Sequence, residues 1–161
     1  PMFVMNESPP TNAPPDVLER GQLGKLGEFL PLDYAPIPKA RLADASLDLV
    51  TCYVGLHHAT GDQLGPFVAS IVRVLRPGGL FILRDHDTQT DAMTTFVSLV
   101  HTVFNAGLAV PWAVDRSEVR GFRPVAAWVA LLAEHGLDDL GPRLLQAHDP
   151  SANTLMAFRK R

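Results

Sequence analysis

The feature that most constrains the fold is a strand, a helix, a glycine turn and a second strand in immediate succession. LDLVTCYV (47–54) is a near-continuous run of β-forming residues, typical of a parallel strand covered on both faces. Asp62 opens an amphipathic helix with Pro66 in its first turn, and Pro-Gly-Gly at 77–79 ends it before the strand LFILRD (80–85). This order predicts a βαβ unit with two neighbouring parallel strands.

The flanking segments predict a single α/β domain. MFVMN (2–6) and GEFLPLD (27–33) predict two further strands, with a proline-rich loop and a short helix over 17–26 between them. Downstream, helical spacing of apolar residues predicts helices over 91–107 and 124–135. The segments GPRLLQAH and TLMAFRKR flank the turn residues DPSAN, which predicts a closing β-hairpin.

The charge and composition of the chain exclude some classes of binding partner. The net charge is −3 and the 14 Lys and Arg residues are scattered, so neither nucleic acid nor an anionic membrane surface is an expected partner. No apolar run approaches the roughly 20 residues that span a bilayer. Cys52 is the one cysteine, which excludes an internal disulfide and fits the reducing cytoplasm.

Polar residues follow three predicted strands at their carboxyl ends. They are Asp33-Tyr34, Cys52-Tyr53 with His57-His58 shortly after, and Asp85-His86-Asp87. Open parallel sheets bind ligands in the crevice at this edge. The topology therefore predicts a ligand site there.

These motifs resemble a known family. SLDLVTCYVGLHH (46–58), IVRVLRPGGLFILRDHD (71–87) and the closing hairpin are similar to the class I S-adenosylmethionine-dependent methyltransferases of the ubiquinone/menaquinone-methylase type. The resemblance implies a Rossmann-like three-layer sandwich with a mostly parallel sheet and an antiparallel C-terminal hairpin. It also implies methyl transfer from S-adenosylmethionine to a small molecule.

One family signature is missing from the sequence. The resemblance implies a loop of the form acidic-x-Gly-x-Gly-x-Gly after the first strand, and Gly21, Gly24 and Gly27 do not fit that form. We therefore expect the chain to lack the first strand and helix of the fold, on the order of 30 residues or more by the size of a βα unit. An upstream segment or a second copy of the chain would then complete the sheet.

The resemblance also implies roles for individual residues. Glu7 would hold the ribose hydroxyls and Asp33 would face the adenine. The predicted cofactor-binding residues are Glu7, Asp33, Tyr34, Cys52, Tyr53 and His57. His58 and His86 are the predicted catalytic residues, as bases that take a proton from the acceptor.

Other interpretations of the same residues stay open. His57 and His58 also fit simple packing at a strand end. Asp85, His86 and Asp87 could ligate a metal with His57, His58 or His101, although no metal is expected from spacing alone. The arginines, including Arg120 and Arg123, are expected on the solvated surface or facing an acidic substrate. A catalytically silent binding or dimerisation module is the alternative function.

Overall fold

The computed structural model describes residues 2–7, 9, 27–59 and 61–161. The chain divides into two compact units, Pro1–Ala35 and Pro36–Arg161. In the first unit, strand β1 (Phe3–Asn6) pairs in parallel with β2 (Glu28–Pro31). Both strands were expected from the sequence, whereas the helix predicted over 17–26 lies outside the described residues.

The second unit is built on a four-stranded mixed sheet. Its elements in chain order are β3 (Leu47–Tyr53), α1 (Gly61–Val74), β4 (Leu75–His86), α2 (Asp91–Gly107), α3 (Trp112–Asp115), α4 (Val125–Glu134), β5 (Leu137–Leu145) and β6 (Asn153–Lys160). The strand order is β3-β4-β6-β5. β3 pairs with β4 in parallel, and β6 runs antiparallel to β4 and β5. The predicted βαβ unit and closing hairpin are confirmed.

The Pro-Gly-Gly segment differs from the expected turn. It lies inside β4, where the register with β3 shifts between Leu47 and Leu49. Gly78 has a φ of +75°, a conformation that favours glycine. A Cβ on Gly79 would lie 2.9 Å from the Arg76 carbonyl oxygen. The two glycines therefore let β4 bulge and resume pairing at Leu80.

The main core lies where α1 and α4 cover the sheet. α1 buries Leu64, Phe67, Val68, Ile71 and Val74, which recur at the spacing of one helical face. α4 buries Trp128 and Leu132, and the strands contribute Phe81, Leu83, Met156 and Phe158. Pro66 was expected in the first turn of α1, but it is the sixth residue of the helix and so leaves one backbone carbonyl without its helical donor.

One burial expectation was wrong, and one apolar helix is partly exposed. β3 was predicted to be covered on both faces, yet Leu49 and Tyr53 are 51% and 57% exposed, because β3 is the edge strand of the four-stranded sheet. In α2, Val97 is buried while Val103 and Phe104 are more than half exposed. Within the described residues, no helix has the length and apolarity needed to cross a membrane.

Asp87 stabilises the start of α4. Its Oδ1 accepts a hydrogen bond of 2.9 Å from the Val125 N–H, and its Oδ2 accepts one from the Gln89 side chain. The first N–H groups of a helix have no intrahelical partner, so this contact replaces a missing bond. Asp87, considered above as a metal ligand, has a structural role here.

We expect Asp87→Ala to lower the free energy of unfolding by about 1 kcal/mol, the usual cost of losing a helix cap. Urea denaturation would measure it. Asp91→Ala is the matched control, because Asp91 lies in the first turn of α2 and Thr90 caps that helix. Equal losses in the two variants would contradict the assignment.

Candidate active site

A strained turn after β3 delivers two histidines to the sheet edge. Val54 has a φ of +53°, which is unfavourable for a β-branched residue, and its N–H donates to the Arg84 carbonyl oxygen at 2.7 Å. A single 3₁₀ turn, Leu56–His58, follows directly. Leu56 is fully buried and anchors the turn, so His57 and His58 are held at the carboxyl end of the sheet.

His57 forms a buried pair with Asp85 at the end of β4. The His57 Nδ1 lies 2.8 Å from Asp85 Oδ1, and neither side chain is exposed. The same carboxylate oxygen accepts the backbone N–H of His86. Asp85 Oδ1 is thus an acceptor, and His57 Nδ1 donates to it. Among the described residues, His57 Nε2 has no hydrogen-bond partner.

His86 and His101 complete a cluster of four imidazoles. His86 Nδ1 is 3.0 Å from the Ser151 carbonyl oxygen, and its Nε2 is 3.2 Å from Nε2 of His101 on α2. The His57 and His101 ring centroids lie 4.9 Å apart. Phe122 packs against the His57 and His101 rings, at 4.6 and 4.9 Å. We refer to His57, His58, His86 and His101 as the histidine cluster.

The segment 116–123 closes over this cluster. The Gly121 N–H donates to the His57 carbonyl oxygen at 2.8 Å, and His58 Nδ1 lies 3.0 Å from the Val119 carbonyl oxygen. A Cβ on Gly121 would stand 3.2 Å from the His57 oxygen, so glycine permits this close approach.

Arg120 anchors the segment to α2. It donates to the Ser98 carbonyl oxygen and to Thr102 Oγ1, and it pairs with Asp115 at 2.6 Å and Glu118 at 3.2 Å. The expectation of a solvated surface position for Arg120 was wrong, because its side chain is only 16% exposed and both terminal nitrogens are hydrogen-bonded within the chain. Arg123 lies over the Trp128 ring, 4.6 Å from its centroid.

Burial favours the neutral form of three rings in the cluster. It lowers the pKa of His58 and of His86. Burial, followed by the neighbouring His57 and His86, lowers the pKa of His101 to about 3. A neutral imidazole offers one lone pair, with which it can accept a proton or ligate a metal.

The structure brings together some of the predicted site residues. His57, His58 and His86 lie in one cluster. Cys52 and Tyr53 end β3 nearby in sequence, and burial, with the Asp85 charge second, raises the pKa of the Cys52 thiol to about 12. Such a thiol is not a nucleophile at neutral pH.

The other predicted cofactor-binding residues belong to the first unit. Glu7 and Asp33 are exposed just after β1 and β2, and Asp33 Oδ1 accepts the Ala35 N–H. Tyr34 has a φ of +59°. Their roles stay predictions.

From the sequence, His101 was expected only as an alternative metal ligand, and Phe122 was not predicted to lie at the site. His101 lies on α2, remote in the chain from the strand ends. One feature of the sequence could have pointed to His101: it lies on the helix that follows β4, and helices that follow strand ends flank the edge where ligands bind.

Comparison with known proteins agrees with this architecture. Residues 16–83 match the family model described as a methyltransferase domain. The 1,6-didemethyltoxoflavin-N1-methyltransferase of Burkholderia thailandensis, solved with its namesake compound and S-adenosylhomocysteine, superposes with a TM-score of 0.65 at 15% identity. The alignment covers 98% of this chain and 60% of that one. The fold is that of a class I methyltransferase.

Two other solved structures share this methyltransferase fold. LepI in complex with SAM aligns with a TM-score of 0.58 at 15% identity, over 99% of this chain and 36% of LepI. The CurJ carbon methyltransferase aligns with a TM-score of 0.55 at 19% identity, over 82% and 34% of the two chains. No curated protein sequence matches the chain significantly. The class I resemblance inferred from the motifs is confirmed.

Whether this chain suits S-adenosylmethionine depends on the hydrogen-bonding groups that its strand ends offer to the cofactor. Exposed carboxylates at strand ends, Glu7 and Asp33, are the acceptors that ribose hydroxyls and an adenine amino group require. These groups fit the nucleoside part of the cofactor.

Proposed function

We propose that this chain serves S-adenosylmethionine-dependent methyl transfer to a small-molecule acceptor. The observation that carries the proposal is the histidine cluster at the carboxyl ends of β3 and β4, in a chain with the class I methyltransferase fold. In this cluster His58, His86 and His101 have lowered pKa values, and the rings lie beside the apolar ring of Phe122 at the edge where this fold binds its ligands.

S-adenosylmethionine, when bound, supplies an activated methyl group. The residues of this chain supply alignment and proton handling. His58 and His86, the two predicted bases, each have one ring nitrogen bonded to a backbone carbonyl, which fixes the orientation of the ring. The opposite nitrogen of His58 is the atom that would take a proton from an acceptor hydroxyl or amine. Nε2 of His86 lies 3.2 Å from Nε2 of His101, so His86 would act as a base only after that contact opens. Phe122 packs against the His86 ring, with centroids 5.6 Å apart.

The cofactor contacts and partners are part of the same proposal. Glu7 and Asp33 would accept hydrogen bonds from the nucleoside, and Tyr34, Cys52, Tyr53 and His57 are the other proposed cofactor-binding residues. The family motifs support these roles. A small heteroaromatic or phenolic acceptor would stack against the imidazoles and the phenyl ring of Phe122, and a second copy of the chain remains the proposed macromolecular partner.

Calorimetric titration of the full chain with S-adenosylmethionine and S-adenosylhomocysteine tests the proposal. We expect one equivalent of either compound to bind, and Asp33→Asn to weaken binding about tenfold or more, because one charge-assisted hydrogen bond contributes about 1.5–3 kcal/mol. Asp44→Asn is the control, since Asp44 pairs with Arg73 in a loop away from the strand ends. A folded chain that binds neither compound would refute the proposal.

The alternative is a silent methyltransferase-like binding module. Such a module would bind a ligand or a second copy of the chain without transferring a methyl group. Incubation with methyl-labelled S-adenosylmethionine and a panel of phenolic and heteroaromatic compounds separates the two. Binding without label transfer to any compound would favour the module.

A further inference from the structure

Three histidines from two segments, the 3₁₀ turn Leu56–His58 and helix α2, converge on one point of the cluster. One ring nitrogen from each of His57, His58 and His101 lies within 4.8 Å of those of the other two. His57 is buried, and His58 and His101 are half-buried. Converging imidazoles of this kind are the commonest ligands of zinc and related metals.

Hydrogen bonding leaves one ring nitrogen free on two of the three histidines. A carbonyl oxygen only accepts, so His58 Nδ1 donates to Val119 and keeps its lone pair on Nε2. His57 Nδ1 donates to Asp85, which leaves the lone pair on Nε2. That His57 nitrogen is buried and has no partner among the described residues.

The third ring is fixed through His86. His86 Nδ1 donates to the Ser151 carbonyl oxygen, so its Nε2 is an acceptor. His101 Nε2, 3.2 Å away, therefore donates to it and keeps a lone pair on Nδ1. All three rings thus present an unprotonated nitrogen, and each has its other nitrogen hydrogen-bonded.

We propose that His57, His58 and His101 bind a divalent transition metal of the zinc type, with Asp85 and His86 as positioning residues. The carboxylate behind His57 repeats the pairing that orients histidine ligands in zinc proteins. Three protein ligands leave a fourth position open to water or a substrate oxygen or nitrogen.

The spacing of the rings is compatible with one bound ion after a small closure. A tetrahedral ion with bonds of about 2.0–2.1 Å holds its ligand nitrogens roughly 3.3 Å apart, so the rings need to close by up to about 1.5 Å from the 4.8 Å limit.

Such an ion would change how the acceptor loses its proton. A bound hydroxyl or water becomes more acidic on a metal, which replaces a general base. His58 would then ligate the metal through its free ring nitrogen. It could not use the same lone pair as the proposed base. The proposed metal site is independent of the proposed methyl transfer, because the experiment that tests it requires neither cofactor nor acceptor.

Titration of the metal-free chain with Co²⁺ and Zn²⁺ tests the proposal. We expect one equivalent of Co²⁺ to give visible absorption bands typical of tetrahedral nitrogen ligation, and Zn²⁺ to displace it. His101→Gln and His58→Gln each should weaken binding at least a hundredfold. Asp85→Asn should weaken it about 10–100-fold, as for other residues behind a metal ligand, and shift the cobalt bands.

His148→Gln is the matched control, because His148 is exposed in the β5–β6 turn and outside the cluster. Circular dichroism of each variant separates lost ligation from lost folding, and the half-buried His58 and His101 are the safer substitutions. No cobalt binding by the wild type, or equal binding by folded His101→Gln, would overturn the proposal.

Discussion

Trp128→Ala should remove a large part of the stability of the second unit. Trp128 is fully buried on α4, and Arg123 stacks on its ring. Truncating a buried Trp typically costs about 3–5 kcal/mol, through lost apolar burial and the cavity left behind. Marginal domains hold about 5–15 kcal/mol in total. Urea denaturation followed by circular dichroism would measure the loss.

The chain offers a matched control for this substitution. Trp112 is the other tryptophan, and it is 65% exposed on the short helix α3. Trp112→Ala should change the free energy of unfolding by no more than about 0.5 kcal/mol. Trp128→Phe should fall between the two, because it keeps a ring and removes an indole N–H that is buried without a partner among the described residues. Similar losses for both alanine variants would show that α4 does not cover the core.

Asp85→Ala should destabilise the fold and disorder the histidine cluster together. The substitution leaves His57 Nδ1 and the His86 N–H without their acceptor in a buried place. Each such group costs about 1–3 kcal/mol, so we expect a loss of about 2–6 kcal/mol in the free energy of unfolding. Histidine ring resonances measured by NMR should shift for His57 and for the neighbouring His58 and His101.

Asp85→Asn separates the two effects, because an amide keeps one acceptor oxygen and loses the charge. Its loss of stability should be clearly smaller than that of Asp85→Ala. Asp48→Ala is the surface control, since Asp48 pairs with Arg76 where both side chains are more than half exposed, and such pairs contribute about 0–1 kcal/mol. An Asp85→Ala chain with wild-type stability would contradict the buried pair.

The elements with a strong local signal were predictable from the sequence. Helical spacing located α1, α2 and α4, and turn residues located the β5–β6 hairpin. The exposure of β3 was not predictable, because a continuous apolar run looks the same in a central strand and in an edge strand. Pro-Gly-Gly was predicted to form a turn, but it forms a bulge within β4, which pairs with β3. That outcome depends on pairing that no local window contains.

The site was predictable only where it depends on strand ends. His57, His58 and His86 follow strands and were expected at the ligand edge. His101 reaches them by the packing of α2, and Arg120 turns inward because Asp115 and Glu118 lie beside it. Both depend on contacts between segments distant in the chain, which spacing does not encode.

The histidine cluster draws its members from a turn, a strand and a helix that adjoin one another solely in the finished tertiary arrangement. An intermediate with native helices but undocked α2 would lack it altogether. Its spectroscopic signature would therefore report the last stage of assembly, separately from the far-ultraviolet signal that tracks helix formation.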